Sequence, residues 1–417
     1  MNKSKDILII GFALFSMFFG AGNLIFPPYI GISSGNNWLI SFLGFIIADV
    51  GIILLSVISV SKAGGLQNVI GKAGKNFGLI LEFLMMLCLG PILVIPRTGA
   101  TTFEMSILPL FKNFNPVLFS VIFFAITLLL TIKPNKVMDI IGKFLTPVLL
   151  ISLIFLIIKG IVSPIGSLKN ISSKGFFITG VTQGYQTMDA LGMGGVISLI
   201  MASLISKGYT DKNENISLAI KSALIACTGL TIIYGGLTYL GATASSLYDT
   251  NIPQTVLLIN ITNKLLGHTG TIILSIVVGF ACLTTSIGLT SVTSKFFEDF
   301  TNKKLKYEHI VIFICVFSAI VSNLGVDKII KIAVPILSLI YPVTIILVVL
   351  SLFKNLNNMV LKGSAYFTLI ISLLNVIDSL GINIKFIHYL PFANLGFNWV
   401  LPAIIGGILF NLIPSKN

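Results

Sequence analysis

The chain has 417 residues, 55% hydrophobic and only 10% charged, with a formal net charge of +13. An average soluble domain carries roughly 25% charged residues, so a soluble globular protein is excluded. The basic excess is lysine in short loops plus one arginine inside an apolar segment, a topology signal that calls for no nucleic acid. Four isolated cysteines (Cys88, Cys227, Cys282, Cys315) and three scattered histidines have no metal, redox or hydrolase spacing. The reading is therefore not an enzyme, with no organic cofactor and the lipid bilayer as first partner.

The charge-free run Ile7–Ile32 is long enough to span a membrane. Near its middle stand Gly20-Ala21-Gly22-Asn23 and Pro27-Pro28, where each proline removes a backbone donor and clashes with the preceding turn, so an interrupted helix is predicted. Lipid cannot satisfy a broken backbone, so the freed groups must face protein, water or a ligand. The basic start (Lys3, Lys5) superficially suits a secretory signal, but no A-x-A-like site follows and a retained first helix is expected.

Windows of about 20 apolar residues place further spans. They run at Trp38–Val60 with Asp49, Phe77–Leu108 with Glu82, Arg97 and Glu104, Val117–Ile132, and Phe144–Ile161. The sixth, Gly175–Ser206, contains Thr182-Gln183-Gly184-Tyr185 and Asp189-Ala190-Leu191-Gly192, a second predicted interruption. Ile216–Ala242, Thr269–Val292, His309–Leu324, Ile332–Phe353, Ser364–Leu380 and Phe397–Ile413 complete about twelve spans. Pro253–Leu266 is too short to cross and is expected to pack over an outer surface.

With the N-terminus inside, 18 lysines fall on the inner side and eight outside, which with Arg97 makes the 27 basic residues. This bias puts both termini in the cytoplasm, although the loop Lys159–Lys174 violates it. The interrupted helices are five spans apart, and an odd number of spans per unit turns the second unit upside down. A single transmembrane domain is expected, with one five-helix repeat over 7–161, a second over 175–353 and two additional helices over 364–413. Pro147-Val148 and Pro342-Val343, each predicted near one end of the last helix of its unit, are a weaker echo.

Paired breaks bring free half-helix ends together near mid-membrane. Free amides and a partial positive charge suit a carboxylate, and free carbonyls suit sodium or an ammonium. A zwitterionic amino acid with an apolar side chain would use both. The breaks nominate Gly20, Ala21, Gly22 and Asn23 with Thr182, Gln183, Gly184, Tyr185 and Asp189 as substrate-binding residues.

The motifs FFGAGNLIFPP at Phe18–Pro28, GPxxxIPRTG at Gly90–Gly99 and GVTQGYQTMDAL at Gly180–Leu191 resemble the bacterial branched-chain amino acid carrier family. The resemblance covers essentially the whole chain. It implies an all-α polytopic fold, an inverted repeat with broken helices one and six similar to that of neurotransmitter–sodium symporters. It also implies a sodium-coupled symporter for leucine, isoleucine and valine in the bacterial cytoplasmic (inner) membrane. In that wider fold sodium is held by carbonyls of the first helix and a small residue plus hydroxyls on the eighth. Ala281-Cys282-Leu283-Thr284-Thr285 looks like that pattern, which nominates Ala281, Thr284 and Thr285 facing the carbonyls of Ser16 and Phe19, with Ser286 as a register alternative. Asn23 matches an asparagine that helps hold a second sodium near the substrate carboxylate, but the rest of that second site does not carry over.

Each nomination has a plainer reading beside it. Hydroxyls in membrane helices commonly bond their own backbone. Asp189 would bind the substrate amine or an ion, or stabilise the unwound segment. Arg97 and Glu104, seven apart on one helix face, favour a structural ion pair or gate over substrate contact. Asp49 and Glu82 are read as near span ends, where they snorkel to water. Rival functions are a proton-coupled or differently selective carrier, with Asp189 or Glu104 as relay, and a non-pumping amino acid sensor or channel. Nothing in the sequence fixes an oligomeric state.

Overall fold

The computed structural model describes residues 3–132, 146–172, 174–353 and 356–412, and among these every regular element is a helix. Seven stretches, from Ala21–Ala63 to Asn358–Ser379, are long and apolar enough by length and composition to cross a bilayer, and four shorter apolar helices accompany them.

In chain order the first five spans are Lys3–Phe18 with Ala21–Ser34, Trp38–Ile46 with Ile52–Ala63, Lys75–Leu87 with Val94–Thr102, Pro116–Thr131, and Thr146–Val162. The sixth is Phe176–Thr187 with Met193–Ser206, and Lys212–Ala244 is the seventh. Next come the later part of Gln254–Phe300, then Tyr307–Ser322, Val326–Ser351, Asn358–Ser379 and Val400–Asn411. The protein is thus an all-α polytopic membrane protein, with a helix at each of the twelve predicted spans among the described residues.

Its polarity is arranged for lipid. Phe12, Leu129, Ile232 and Ile320 are exposed while Asn23, Asp49, Arg97 and Gln186 are buried. An outer surface so apolar is suited to acyl chains, and the polar groups of the interior must satisfy one another.

Both predicted interruptions are present. In the first span the last helical bond runs from Phe19 N to Phe15 O at 2.8 Å. Gly20 is then extended (φ −115°, ψ −165°) and the helix restarts at Ala21. Pro27 and Pro28 do not break it, contrary to expectation; they lie inside Ala21–Ser34. That segment is held by the seventh span, whose Gly241 approaches so closely that a Cβ there would stand 2.0 Å from the Pro28 carbonyl. Neighbouring helices commonly support prolines in this way in membranes.

In the sixth span the helix ends at Thr187, Met188 is left-handed (φ 66°), a tight turn covers Asp189–Gly192, and Met193 restarts the helix. A left-handed non-glycine residue costs about 1–2 kcal/mol, and the completely buried Met188 side chain holds it in place.

The two units interlock reciprocally. The first half of span six packs on span two, where a Cβ on Gly180 would lie 1.9 Å from Ser41 O. The first half of span one packs in the same manner on span seven, with Gly11 against Ile225 and Ser222. Spans four and nine, each of 16 residues, also pack together.

A kink at Gly267 (φ 65°, ψ −160°) divides Gln254–Phe300, so the short predicted segment before it is set off from the eighth span. The Pro-Val echo is not positional. Pro147 follows the first residue of the described fifth helix, whereas Pro342 lies deep inside Val326–Ser351. Phe144, where the fifth span was expected to begin, lies outside the described residues, as does Ile413 at the end of the twelfth.

Candidate substrate and ion site

Because the first span stops pairing at Phe19, the Ser16 carbonyl loses its ordinary donor, Gly20 N–H, which instead bonds Asn23 Oδ1 at 3.1 Å. The Phe19 carbonyl is likewise freed, and Ala21, Gly22 and Asn23 carry the unpaired amides of a helix N-terminus. Asn23 joins the two breaks. Its Nδ2 donates to Asp189 Oδ2 at 2.7 Å and to the hydroxyl of Tyr234 on the seventh span. The amide can sit only this way round, since Gly20 N–H must find an oxygen and Asp189 a donor.

Arg97 enters from the third span. A kink at Gly90, ahead of Pro91, lets the chain restart as Val94–Thr102 with Arg97 buried against both breaks. Its Nη1 donates to the carbonyl of Gln186 at 2.7 Å, at the negative C-terminal end of the helix Phe176–Thr187, where a cation is favoured. The guanidinium also lies over the Phe26 ring, 5.4 Å from its centroid. Thr187 donates to Asp49 Oδ1 at 2.8 Å, and Asp49 Oδ2 has no partner among the described residues.

Between the breaks lies a cavity of about 40 Å³ lined by Gly20, Ala21, Asn23, Arg97, Thr187, Asp189 and Thr285, together with Met188 and apolar neighbours. It unites the two breaks with one residue of the eighth span. Thr285 stands beside Gly20, whose Cβ would be 3.4 Å from the threonine hydroxyl. Thr284 and Thr285 both donate to the Ala281 carbonyl, at 2.8 and 3.0 Å, so all three residues of the candidate sodium pattern lie on one turn.

Several nominated residues are elsewhere. Thr182, Gln183, Gly184 and Tyr185 belong to the unbroken helix before the interruption, not to the cavity wall. Gly184 serves helix contact, since a Cβ there would sit 2.9 Å from Ala48 Cβ and 3.0 Å from Phe45 O. Thr182 bonds its own backbone at Ile178, and Tyr185 stacks on Tyr341 with centroids 4.7 Å apart.

Arg97 and Glu104 are not an ion pair. Glu104 accepts from Thr255 at 2.6 Å and from Val326 N at 2.9 Å, tying the third span to the start of the tenth. Nor is Asp49 near a span end. It is 1% exposed, in a wide helical turn over Ile47–Gly51 at mid-span. Sequence reasoning missed Asp49, Thr187 and Tyr234. The signal for Asp49 was available, because it is the only charged residue of Trp38–Val60 and its midpoint. Glu82 is only partly buried and accepts from Gln67, closer to the expectation.

The profile of the family described as "Branched-chain amino acid transport protein" matches residues 3–417. The chain belongs to this family. The transport protein is 36% identical to the branched-chain amino acid permease BrnQ of Bacillus subtilis (strain 168), over 97% of this chain and 96% of that one. It is 33% identical to BrnQ of Escherichia coli (strain K12), over 98% and 95%.

Among solved structures it is similar to MhsT in complex with L-phenylalanine, with a TM-score of 0.58 and 17% identity over 97% of this chain and 98% of that chain. A Na+-coupled sialic acid symporter in a substrate-bound outward-open state gives a TM-score of 0.64 at 13% identity, over 98% and 90%. At these identities the likeness shows the fold, an inverted repeat with its first and sixth helices broken.

Proposed function

We propose that the protein is a secondary active symporter that takes up leucine, isoleucine and valine with sodium, by alternating access, across the bacterial cytoplasmic membrane with both termini cytoplasmic. The observation that carries this reading is the meeting of both breaks in one small cavity. There a helix N-terminus and Arg97 offer positive poles, Asp189 a negative one, and the freed Ser16 and Phe19 carbonyls lie on the span that Thr285 faces. The family and the names of its members support the substrate class.

At about 40 Å³ the cavity is far smaller than ordinary ligand pockets of roughly 300–1,000 Å³. Its walls therefore part to admit an amino acid. A recess of about 560 Å³, lined by Gly65, Glu82, Gly195, Ser198 and Lys295, approaches it along the same third, sixth and eighth spans. On the lysine bias this is the cytoplasmic side, and the recess is the route of release.

With all groups ionised, Arg97, Asp49 and Asp189 leave the site one negative charge, which one monovalent cation neutralises. Hydroxyls beside carbonyl oxygens suit a hard cation. Moving that charge down the membrane potential is worth about 2.3 kcal/mol per 100 mV, roughly fifty-fold accumulation.

The unpartnered Asp49 Oδ2 favours one rival, in which a proton at Asp49 replaces sodium. Leucine uptake into proteoliposomes at constant pH, with sodium replaced by potassium, separates them. Uptake should collapse in potassium; undiminished uptake overturns sodium coupling.

A further inference from the structure

We propose that Arg97 is the receptor for the substrate carboxylate and stands in for a second coupling cation, so that one monovalent cation crosses with each amino acid. This rests on the cavity between the breaks being the amino acid site.

Arg97 is 1% exposed, and its Nε has no hydrogen-bond partner among the described residues. No carboxylate there lies within 4.0 Å of it to form an ion pair. A purely structural arginine could cap the Gln186 carbonyl with one N–H, yet the guanidinium has five.

Its position shows where the remainder are directed. A Cβ on Gly22 would lie 2.8 Å from Nη2, so the guanidinium abuts the first turn of Ala21–Ser34, where the unpaired amides of Ala21 and Gly22 present a second positive pole. Two positive poles side by side are costly without an anion between them. A single anion with two in-plane oxygens relieves both, and the planar fork of a guanidinium matches that geometry.

Asp189, on the other broken span, supplies the complementary pole for an ammonium group. An α-amino acid carries carboxylate and ammonium on one carbon. Asn23, the residue that the resemblance assigned to a second sodium, spends its oxygen on Gly20 N–H and turns its Nδ2 to Asp189. The carboxylate is thus left to Arg97.

The test uses the full-length purified protein and two probes, L-leucine and 3-methylbutylamine, which is leucine without its carboxylate. In equilibrium binding at fixed sodium, the wild type should prefer leucine by on the order of 100-fold. Arg97→Gln should bring the two within about threefold, and Arg97→Lys should restore part of the preference. Charge moved per leucine in wild-type proteoliposomes should be one.

An Arg97→Gln protein that keeps the wild-type preference overturns the proposal, as does a charge of two per leucine. The charge measurement needs no variant, so a charge of two overturns the proposal even if Arg97→Gln fails to fold. Wild-type protein that binds no branched-chain amino acid removes the underlying functional reading instead, a result distinct from leucine binding with unaltered preference.

Discussion

Asn23 is the residue on which the site turns, because one side chain bonds the backbone of the first break, the carboxylate of the second and the phenol of Tyr234 on the seventh span. A hydrogen bond to a charged group contributes about 1.5–3 kcal/mol. Asn23→Ala should therefore weaken leucine binding about tenfold or more, measured by equilibrium binding with the protein shown to be folded. Leucine affinity equal to wild type would remove Asn23 from the site. Gly20, Asn23 and Asp189 were visible in the sequence as helix-breaking or polar residues in apolar runs, with Ala21 between them by position, and Arg97 was visible as a lone cation but read as a gate or structural pair. Which groups they meet was not visible. The partnership of Arg97 with Gln186 rather than Glu104 depends on the kink at Gly90 and on a main-chain carbonyl that no side-chain pattern encodes.

Among elements, the breaks are narrower than the motifs that announced them. Proline and glycine signal both interruption and close approach, and here Pro27, Pro28 and Gly184 serve approach. At the crossing of spans one and seven, a Cβ on Gly31 would lie 2.0 Å from Thr238 O and one on Gly241 2.0 Å from Pro28 O, backbone against backbone. Gly241→Leu should lower the thermal stability of the detergent-solubilised protein by at least the 1–3 kcal/mol typical of overpacking. Gly288→Ala, with nothing within 4 Å, should not lower the midpoint. Equal loss in both variants would contradict this packing.

At the start of the first span, before the apolar run, Asp6 accepts from Lys207 at 2.5 Å and Tyr209 at 2.8 Å, tying the two broken spans together at that end. The Lys207 bond, then the Tyr209 bond, hold the Asp6 carboxyl below the usual carboxylate range. A lowered folded value means that the tie is present above the ordinary carboxylate pKa and is lost as pH falls through the lowered one. Amide exchange at the start of the first helix should stay slow through mildly acidic pH and accelerate only in stronger acid. Asp6→Asn should abolish that acid transition; an identical transition in the variant would contradict the tie.

For the whole molecule, twelve spans, their order and the five-span offset of the breaks were legible, because hydropathy and helix-breaking residues are local signals. The reciprocal docking of span six on span two and span one on span seven was not, since it lies in contacts between distant residues. That docking makes the cavity a seam between the two broken spans and their partners, the place where the proposed alternating access would open it. The most direct test is a density map of the protein with leucine and sodium bound. Leucine should lie between Gly20–Asn23 and Thr187–Asp189, with its carboxylate toward the first helix. Leucine density away from both breaks would contradict the account.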